Sequence, residues 1–144
     1  MVAKRSVIVV GGSVAGLFAG NLLHRAGWEV EVFERASSSL DSRGAGIGTH
    51  DELFEAMRTA GAKVDELIGI QVEGRAAYDQ SGTEIARHDY PQYLTSWGLL
   101  YRRLLAALPP RQYHLGRAVV DVVDSDGGAS VLFADGTRRD ADLV

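Results

Sequence analysis

The chain has 144 residues, of which 46% are hydrophobic and 24% charged, with a formal net charge of −4 and no cysteine. This length is enough for one globular core, so we expect one domain. The scattered arginines form no basic stripe, which argues against a nucleic-acid partner, and the lack of cysteine excludes disulfides and thiolate-bound metal. No segment approaches the roughly 18 apolar residues of a membrane span, so the sequence indicates a cytoplasmic protein without a membrane partner.

Residues 5–35 carry the clearest pattern, RSVIVVGGSVAGLFAGNLLHRAGWEVEVFER. The β-branched run at residues 7–10 predicts a strand buried on both faces of a parallel sheet. Apolar residues then recur at helical spacing from Val14 until Gly27, which supplies a helix stop. A second extended run ends at Glu34. Strand, glycine turn, helix, strand and terminal acid predict a Rossmann-like βαβ unit that binds a dinucleotide.

Each part of this unit has a predicted role. Gly11 permits the sharp turn out of the strand, and Gly16, which has no side chain, lets the helix lie close against the sheet. The amino end of the helix presents free N–H groups and partial positive charge to a pyrophosphate. Glu34 can accept hydrogen bonds from both ribose hydroxyls. Because its carboxylate would repel a 2′-phosphate, FAD or NAD is favoured over NADP.

The glycine motif departs from its usual form at Ser13, so that it reads G-G-S-x-x-G instead of G-x-G-x-x-G. A serine is small enough to leave room for the phosphates, and its hydroxyl can donate to one. The alternative is that Gly11 and Gly12 form only a strand-to-helix turn and that Ser13 caps the helix.

Residues 36–50 read ASSSLDSRGAGIGTH, and their serines and glycines predict a stretch without a regular element. Arg43 offers a fixed cation beside glycine-rich backbone that a flat ligand can approach closely. This combination favours a ligand-lining loop over the alternative of a flexible linker.

Further along the chain, a helix is predicted over residues 51–60, with acids in its first turn and Gly61 after its end. Residues 68–79 and 83–88 predict a hairpin, whereas residues 89–96, which include Pro91, predict irregular structure. Residues 97–100 are apolar, and residues 101–108 predict a helix that stops at Pro109.

The last third of the sequence predicts strands at residues 113–115, 117–124, 129–133 and 137–144. Its two Asp-Gly turns indicate an antiparallel β-meander inserted across the open parallel sheet. The predicted fold class is therefore α/β, a Rossmann-like unit with a meander. Since the sequence stops at Leu143 and Val144 in what reads as the start of an apolar strand, we expect a fragment, truncated before a substrate domain.

Five segments together, VVGGSVAGL, VEVFERA, SRGAGIG, SWGLLYRRLLAALP and FADGTRRDADLV, resemble the flavin-dependent aromatic hydroxylases of the para-hydroxybenzoate hydroxylase type. The G-G-S turn and residues 95–114 are most similar to the branch that hydroxylates dihydroxypyridines. The resemblance implies that residues 1–144 are the amino-terminal, incomplete part of an FAD-binding domain. In that family NAD(P)H reduces the flavin, and the reduced flavin uses O2 to hydroxylate a small aromatic or pyridine ring.

The resemblance also implies a set of cofactor-binding residues: Gly11, Gly12, Ser13, Val14 and Gly16 at the pyrophosphate, Glu34 and Arg35 at the adenosine ribose, Arg43 and Ile47 along the ribityl and flavin, and Arg102 at the phosphate or ribityl side. Arg103 competes with Arg102, and either arginine fits a solvated helix face equally well. No catalytic residue is assigned, because the substrate-activating groups of the family lie mostly beyond Val144.

Other functions stay open as alternatives. The chain lacks the Tyr-x-x-x-Lys pair of short-chain dehydrogenases and the Trp-x-Trp-x-Ile-Pro signature of flavin-dependent halogenases. A non-catalytic nucleotide-binding remnant, or another FAD- or NAD-dependent oxidoreductase, remains as the second interpretation. The four histidines lack metal-ligand spacing, so no metal site is predicted. We expect the 144 residues alone to bind FAD weakly and to lack hydroxylase activity.

Overall fold

A computed structural model describes residues 5–144. It contains these elements in chain order: β1 Ser6–Val10, α1 Val14–Arg25, β2 Glu29–Phe33, β3 Gly46–Thr49, α2 Asp51–Thr59, β4 Ile70–Tyr78, β5 Glu84–Ser96, α3 Trp97–Ala107, a 3-10 turn Pro110–Gln112, β6 Tyr113–His114, β7 Val119–Ser125, β8 Gly128–Phe133 and β9 Arg138–Ala141. The mixture of helices, parallel strands and antiparallel strands confirms the predicted α/β class.

The first sheet is parallel and has the order β1-β2-β6. Val7 on β1 lies opposite Val30 on β2, and both are buried in the cluster that this sheet forms with the helices. On the opposite side of β1, Val7 forms a parallel bridge with Leu143. Ile8 donates its N–H to the Leu143 carbonyl at 2.9 Å. Strand β1 therefore has a hydrogen-bonded neighbour on each side.

Helix α1 packs against β1, β2 and α3. Gly20 sits where a Cβ would lie 2.9 Å from the Val32 side chain, so the helix approaches the sheet closely. The buried Asn21 amide donates to the carbonyl oxygens of Leu17 and Leu104, at 2.9 Å each, and ties α1 to α3. The helix ends before Gly27, whose φ of +93° confirms the predicted stop.

The second sheet is antiparallel, with the order β3-β5-β4. It confirms the predicted hairpin, but the prediction of irregular structure at residues 89–96 is wrong. Strand β5 continues through Pro91 because the pairing with β4 has a bulge there, with Glu73 opposite both Tyr90 and Pro91. A proline is tolerated at a bulge, since its missing N–H is not needed for the regular hydrogen bonds of the sheet. The prediction that residues 36–50 hold no regular element is also wrong, since Gly46–Thr49 pairs with the end of β5.

Helix α3 starts four residues earlier than the predicted residue 101, at Trp97. Ser96 caps it, with its hydroxyl oxygen accepting the Leu99 N–H at 3.2 Å. Helix α2 agrees with the predicted segment 51–60. No helix within residues 5–144 is long and apolar enough to cross a membrane.

The third sheet, β7-β8-β9, is the predicted antiparallel meander, with turns at the expected Asp-Gly positions. It forms a sheet of its own and packs on the parallel sheet through a small apolar cluster: Ile8, Phe33, Val131, Phe133 and Ala141. One part of the prediction is wrong. Tyr113 and His114 pair in parallel with β2 instead of joining the meander, because the 3-10 turn before them returns the chain beside that strand.

Candidate nucleotide-binding site

The turn after β1 requires glycine at two positions, Gly11 for its backbone angle and Gly16 for lack of space. Gly11 has a φ of +101°, in the region where side chains are strained. Its N–H donates to the Phe33 carbonyl at 2.8 Å, which holds the turn against the end of β2. A Cβ on Gly16 would overlap the Gly11 carbonyl oxygen. Helix α1 therefore starts in direct contact with the turn, as the motif predicts.

Ser13 is the N-cap residue of α1, in extended conformation, and its side chain is exposed and makes no capping hydrogen bond. The alternative role of Ser13 as a side-chain cap is therefore not what the structure shows. The first turn of α1 holds no acidic residue. The amino end of this 12-residue helix thus keeps its N–H groups and partial positive charge for an anion.

Glu34 follows β2 and is buried, with 7% of its surface exposed. One carboxylate oxygen accepts the Gly12 N–H and the other accepts the Ala36 N–H, each at 2.8 Å. Sequence reasoning missed these two bonds, which tie the glycine turn to the next loop. A carboxylate oxygen can accept two hydrogen bonds, so each keeps one acceptor position for a ribose hydroxyl. With the Gly12 N–H engaged, the N–H groups from Ser13 onward are left to meet a phosphate.

A cavity of about 110 Å³ opens beside Glu34, lined by Val10, Gly11, Phe33, Glu34, Arg35, Arg117 and Val119. Of these, only Gly11, Glu34 and Arg35 were predicted as site residues; Val10 and Phe33 were predicted as strand residues, and Arg117 and Val119 lie far along the chain. No local motif marks them; only the fold brings the start of the meander to the end of β2. The Arg117 N–H donates to the Glu34 carbonyl at 2.8 Å, and the Arg117 guanidinium lies 4.1 Å from the centre of the Phe133 ring.

A wider, open cavity of about 580 Å³ lies at the bulge between β4 and β5. Its lining includes the carboxylates of Glu73 and Asp89 and no cationic side chain. Negative charge of this kind repels phosphate. The smaller cavity beside Glu34 is therefore the better candidate for a nucleotide.

The segment predicted to follow the ribityl and flavin runs from exposed Arg43 into strand β3. Gly44 has a φ of +93°. The Ala45 carbonyl accepts the Trp97 N–H at 3.1 Å, and Ile47 packs against the main core. These contacts anchor the segment to the start of α3, which does not fit a flexible linker.

The two candidate arginines of α3 have different surroundings. Arg103 is ion-paired with Asp65, 3.0 Å from nitrogen to oxygen, and only 22% of its side chain is exposed. Lys63 also binds Asp65 at 2.8 Å. Arg102 is exposed, and its guanidinium lies over Gly98 at the start of the helix. The pairing of Arg103 with Asp65 favours Arg102 as the arginine available to a ligand.

The predicted site residues thus fall into two groups. Gly11, Gly12, Ser13, Val14, Gly16, Glu34 and Arg35 meet at the carboxyl ends of β1 and β2, whereas Arg43, Ile47 and Arg102 lie around β3 and the start of α3. In the part of the chain that the structure describes, no group of three histidines, cysteines or acids is placed to hold a metal ion.

Residues 4–92 match the family described as FAD binding domain, and the chain belongs to this family. The geometry fits such a cofactor, because the glycine turn carries no side chain at Gly11 and Gly12 and the Glu34 carboxylate lies directly beside it. Among curated proteins, the chain is 29% identical over 139 residues to 2,6-dihydroxypyridine 3-monooxygenase of Paenarthrobacter nicotinovorans, covering 96% of this chain and 35% of the relative.

It is 35% identical over 151 residues to 3-amino-4-hydroxybenzoate 2-monooxygenase of Streptomyces cremeus, covering 96% of this chain and 38% of the relative. The solved structure of 2,6-dihydroxypyridine-3-hydroxylase from Arthrobacter nicotinovorans superposes with a TM-score of 0.85 at 27% identity, over 98% of this chain and 36% of that one. Klebsiella pneumoniae HpxO complexed with FAD and uric acid, at 21% identity and a TM-score of 0.80, covers 96% of this chain and 38% of its own, and shares the fold.

The resemblance to aromatic hydroxylases, and to the dihydroxypyridine branch among them, is confirmed by these relatives. The chain spans between 35% and 38% of the length of the proteins compared above.

Proposed function

We propose that this chain is the FAD-binding portion of a flavin-dependent aromatic monooxygenase that uses NAD(P)H and O2 to hydroxylate a small aromatic or pyridine ring. The observation that carries the proposal is the glycine turn closed by Glu34, in a chain of the FAD-binding family. The substrate class is supported by the relatives, whose names specify a dihydroxypyridine and an aminohydroxybenzoate. When bound, FAD supplies the redox chemistry.

The residues at the carboxyl ends of β1 and β2 would hold the adenosine and pyrophosphate. Glu34 accepts the ribose hydroxyls with its two remaining acceptor positions, and Arg35 and Arg117 flank the cavity beside it. Ser13 and Val14 face the phosphates with the unpaired N–H groups of the helix start. Gly11, Gly12 and Gly16 contribute by letting the turn fold tightly against the start of α1, because a side chain at any of them is strained or overlaps a protein neighbour.

The residues around β3 would hold the ribityl chain and the flavin. Arg43 supplies a positive charge, Ile47 supplies backbone at the free edge of its sheet, and Arg102 supplies a second positive charge from α3. Their task is to orient the ring and to offset the negative charge that the ring gains when it is reduced. We assign residues 1–144 to the amino-terminal part of the FAD-binding domain. Groups that contact the aromatic substrate are expected in the part of the relatives that this chain does not match.

We also place the protein in the cytoplasm, because its proposed reductant, NAD(P)H, is available there. The partner we propose is the small aromatic substrate, with no role for nucleic acid or membrane.

The proposal is tested by titrating the purified protein with FAD while following flavin fluorescence, and by competing FAD with ADP and with FMN. We expect ADP to compete, because it carries the adenosine and pyrophosphate that the glycine turn and Glu34 bind. FMN lacks adenosine and should compete poorly. We expect the 144 residues alone to bind FAD weakly, because adenosine contacts must offset an association cost of about 4 to 15 kcal/mol.

Oxidation of NAD(P)H is then measured with dihydroxypyridines and hydroxybenzoates as candidate substrates. We expect none from the 144 residues alone, and substrate-dependent oxidation from a protein that continues as the relatives do. Displacement of FAD by FMN but not by ADP would contradict the assignment of the adenosine site. Binding of ADP without any binding of flavin would favour the alternative, a nucleotide-binding remnant.

A further inference from the structure

Tyr113 lies on β6, two strands from β1 in the parallel sheet, and contacts the glycine turn that follows β1. Its hydroxyl oxygen lies 2.9 Å from the Gly12 carbonyl oxygen, to which it donates, and 3.1 Å from the Tyr101 hydroxyl oxygen. A Cβ on Gly12 would overlap the Tyr113 hydroxyl and ring. Gly12 is therefore held at both ends: Glu34 accepts its N–H, and Tyr113 binds its carbonyl.

From Tyr101 the contacts continue through Trp97 to residues 43–47, the segment predicted to follow the ribityl and flavin. The Trp97 and Tyr101 rings stack with centroids 5.2 Å apart and planes 9° from parallel. Trp97 donates its backbone N–H to Ala45 at 3.1 Å. A Cβ on Gly44 would come within 2.7 Å of the Trp97 side chain. Gly44 is thus packed closely on Trp97, as Gly12 is on Tyr113, and Ala45 is tied to Trp97 by a backbone hydrogen bond.

The hydrogen bonds of Tyr101 and Tyr113 have a fixed direction. A tyrosine hydroxyl is protonated at neutral pH, and burial, reinforced by the hydrogen bond with Tyr101, raises the pKa of Tyr113 further above its ordinary value. Because that single proton is donated to Gly12, the fully buried Tyr101 must donate to Tyr113. Each hydroxyl therefore has a defined donor role, which restricts the rotation of both.

We propose that Trp97, Tyr101 and Tyr113, hereafter the aromatic spine, are positioning residues that set the separation between the glycine turn and residues 43–47. These two elements are far apart in sequence, belong to different sheets, and each contacts one end of the spine. A ligand that spans both loses less freedom on binding when they are already held in place. The coupling of the two elements is inferred from the contacts of the aromatic spine alone, whereas the identity of the ligand as FAD rests on the proposed function.

The first test needs no ligand. Hydrogen–deuterium exchange is measured on the chain with Tyr113→Phe, which removes only the hydroxyl, and with Trp97→Leu, which removes the stack. We expect each substitution to raise amide exchange about two- to tenfold at both residues 11–13 and residues 43–47, the range for one lost hydrogen bond. Tyr93→Phe is the matched control, because Tyr93 is a partly buried tyrosine of β5 that packs on Phe54 instead of the spine.

If each substitution changes exchange only in the element it touches, the two elements are not coupled and the proposal is wrong. A change of the same size in Tyr93→Phe would also overturn it, since the effect would then be a general loosening.

The second test compares FAD with ADP. Tyr113→Phe should weaken both ligands several-fold, because both occupy the glycine turn. Trp97→Leu should weaken FAD several-fold more than ADP, because ADP does not reach residues 43–47. Equal affinities in wild type and both variants would overturn the positioning role. A wild-type protein that binds neither ligand would instead contradict the proposed function, and the exchange measurement would still decide whether the spine couples the two elements.

Discussion

The βαβ unit and the β4–β5 hairpin are built in contrasting ways. In the βαβ unit, Gly16 and Gly20 have no space for a side chain, and Glu34 is buried with both oxygens bonded. In the hairpin, Ile70 is 73% exposed and Ile85 is 64% exposed. The first region depends on such contacts at several positions. The hairpin has a contact of this kind at Gly74, where a Cβ would overlap the His88 carbonyl oxygen, but its exposed positions are held only by strand register. Substitutions should therefore be costly in the βαβ unit and tolerated at the exposed positions of the hairpin.

The largest expected effect comes from Gly16→Ala. Its new methyl group overlaps the Gly11 carbonyl oxygen, and backbone cannot move aside as a flexible side chain can. We expect a loss of about 3 kcal/mol in the free energy of unfolding, together with loss of FAD affinity. Chemical denaturation measures the first, and Gly46→Ala is the matched control. Its methyl group would meet only the Thr95 carbonyl at 3.8 Å, so a change within about 0.5 kcal/mol is expected. Similar stabilities for the two variants would show that the close contact at Gly16 does not decide the cost of a side chain there.

Glu34→Ala should have the next largest effect. The buried Gly12 N–H and the partly buried Ala36 N–H lose their acceptor, and a bond to a charged group contributes about 1.5 to 3 kcal/mol. We expect about 2 kcal/mol less stability and a fall in FAD affinity of at least tenfold. Glu31→Ala serves as the control, because Glu31 lies on β2 just before Glu34 but is about one-third exposed and faces His114 at 3.3 Å instead of the glycine turn. Unchanged FAD affinity in Glu34→Ala would show that the adenosine lies elsewhere.

Substitution of Ser13 separates binding from folding within the βαβ unit. Its side chain is exposed and makes no capping bond, so we expect both Ser13→Gly and Ser13→Leu to stay within about 0.5 kcal/mol of wild-type stability. Only the leucine fills the space for the phosphates, so only Ser13→Leu should lose FAD. Fluorescence titration of both variants gives the comparison. Tight FAD binding by the leucine variant would place the phosphates away from this turn.

The smallest effect is expected in the hairpin. Ile85→Thr keeps a β-branched side chain at a mostly exposed position, so stability should change by less than about 0.5 kcal/mol and FAD affinity should not change. Thermal unfolding and FAD titration check both. A loss of more than about 1 kcal/mol would mean that the exposed face of the hairpin is covered in solution, and the two regions would then differ less than they appear to.

The βαβ unit could be predicted from the sequence because its signals are local. Helical periodicity from Val14 and the glycines at both ends place α1 correctly, and the predicted first strand differs from β1 by one residue. The same locality explains the confirmed Asp-Gly turns of the meander. In these segments a residue and its neighbours in sequence determine the backbone without help from distant partners.

The wrong predictions concern segments whose structure is determined by residues far away in the sequence. Gly46–Thr49 has no strand pattern of its own and becomes β3 because β5 supplies its hydrogen bonds. Tyr113 joins the parallel sheet through two residue pairs, which is too short a strand to show a period. For the candidate site, the glycine turn and Glu34 were predictable from a motif, whereas Arg117 and the bond from Tyr113 to Gly12, 101 positions away, depend on the folded chain.

The bridge between Val7 and Leu143 makes β1 an interior strand whose two neighbours are reached in different ways. The connection to β2 is a single helix that leaves toward one side. From β2 the chain forms the second and third sheets before Leu143 pairs with β1, on the side of β1 opposite to β2. The carboxyl end of β1 is therefore a topological switch point, where connections diverge and leave a crevice between them. In open α/β sheets ligands enter at such a point, and here it coincides with the glycine turn.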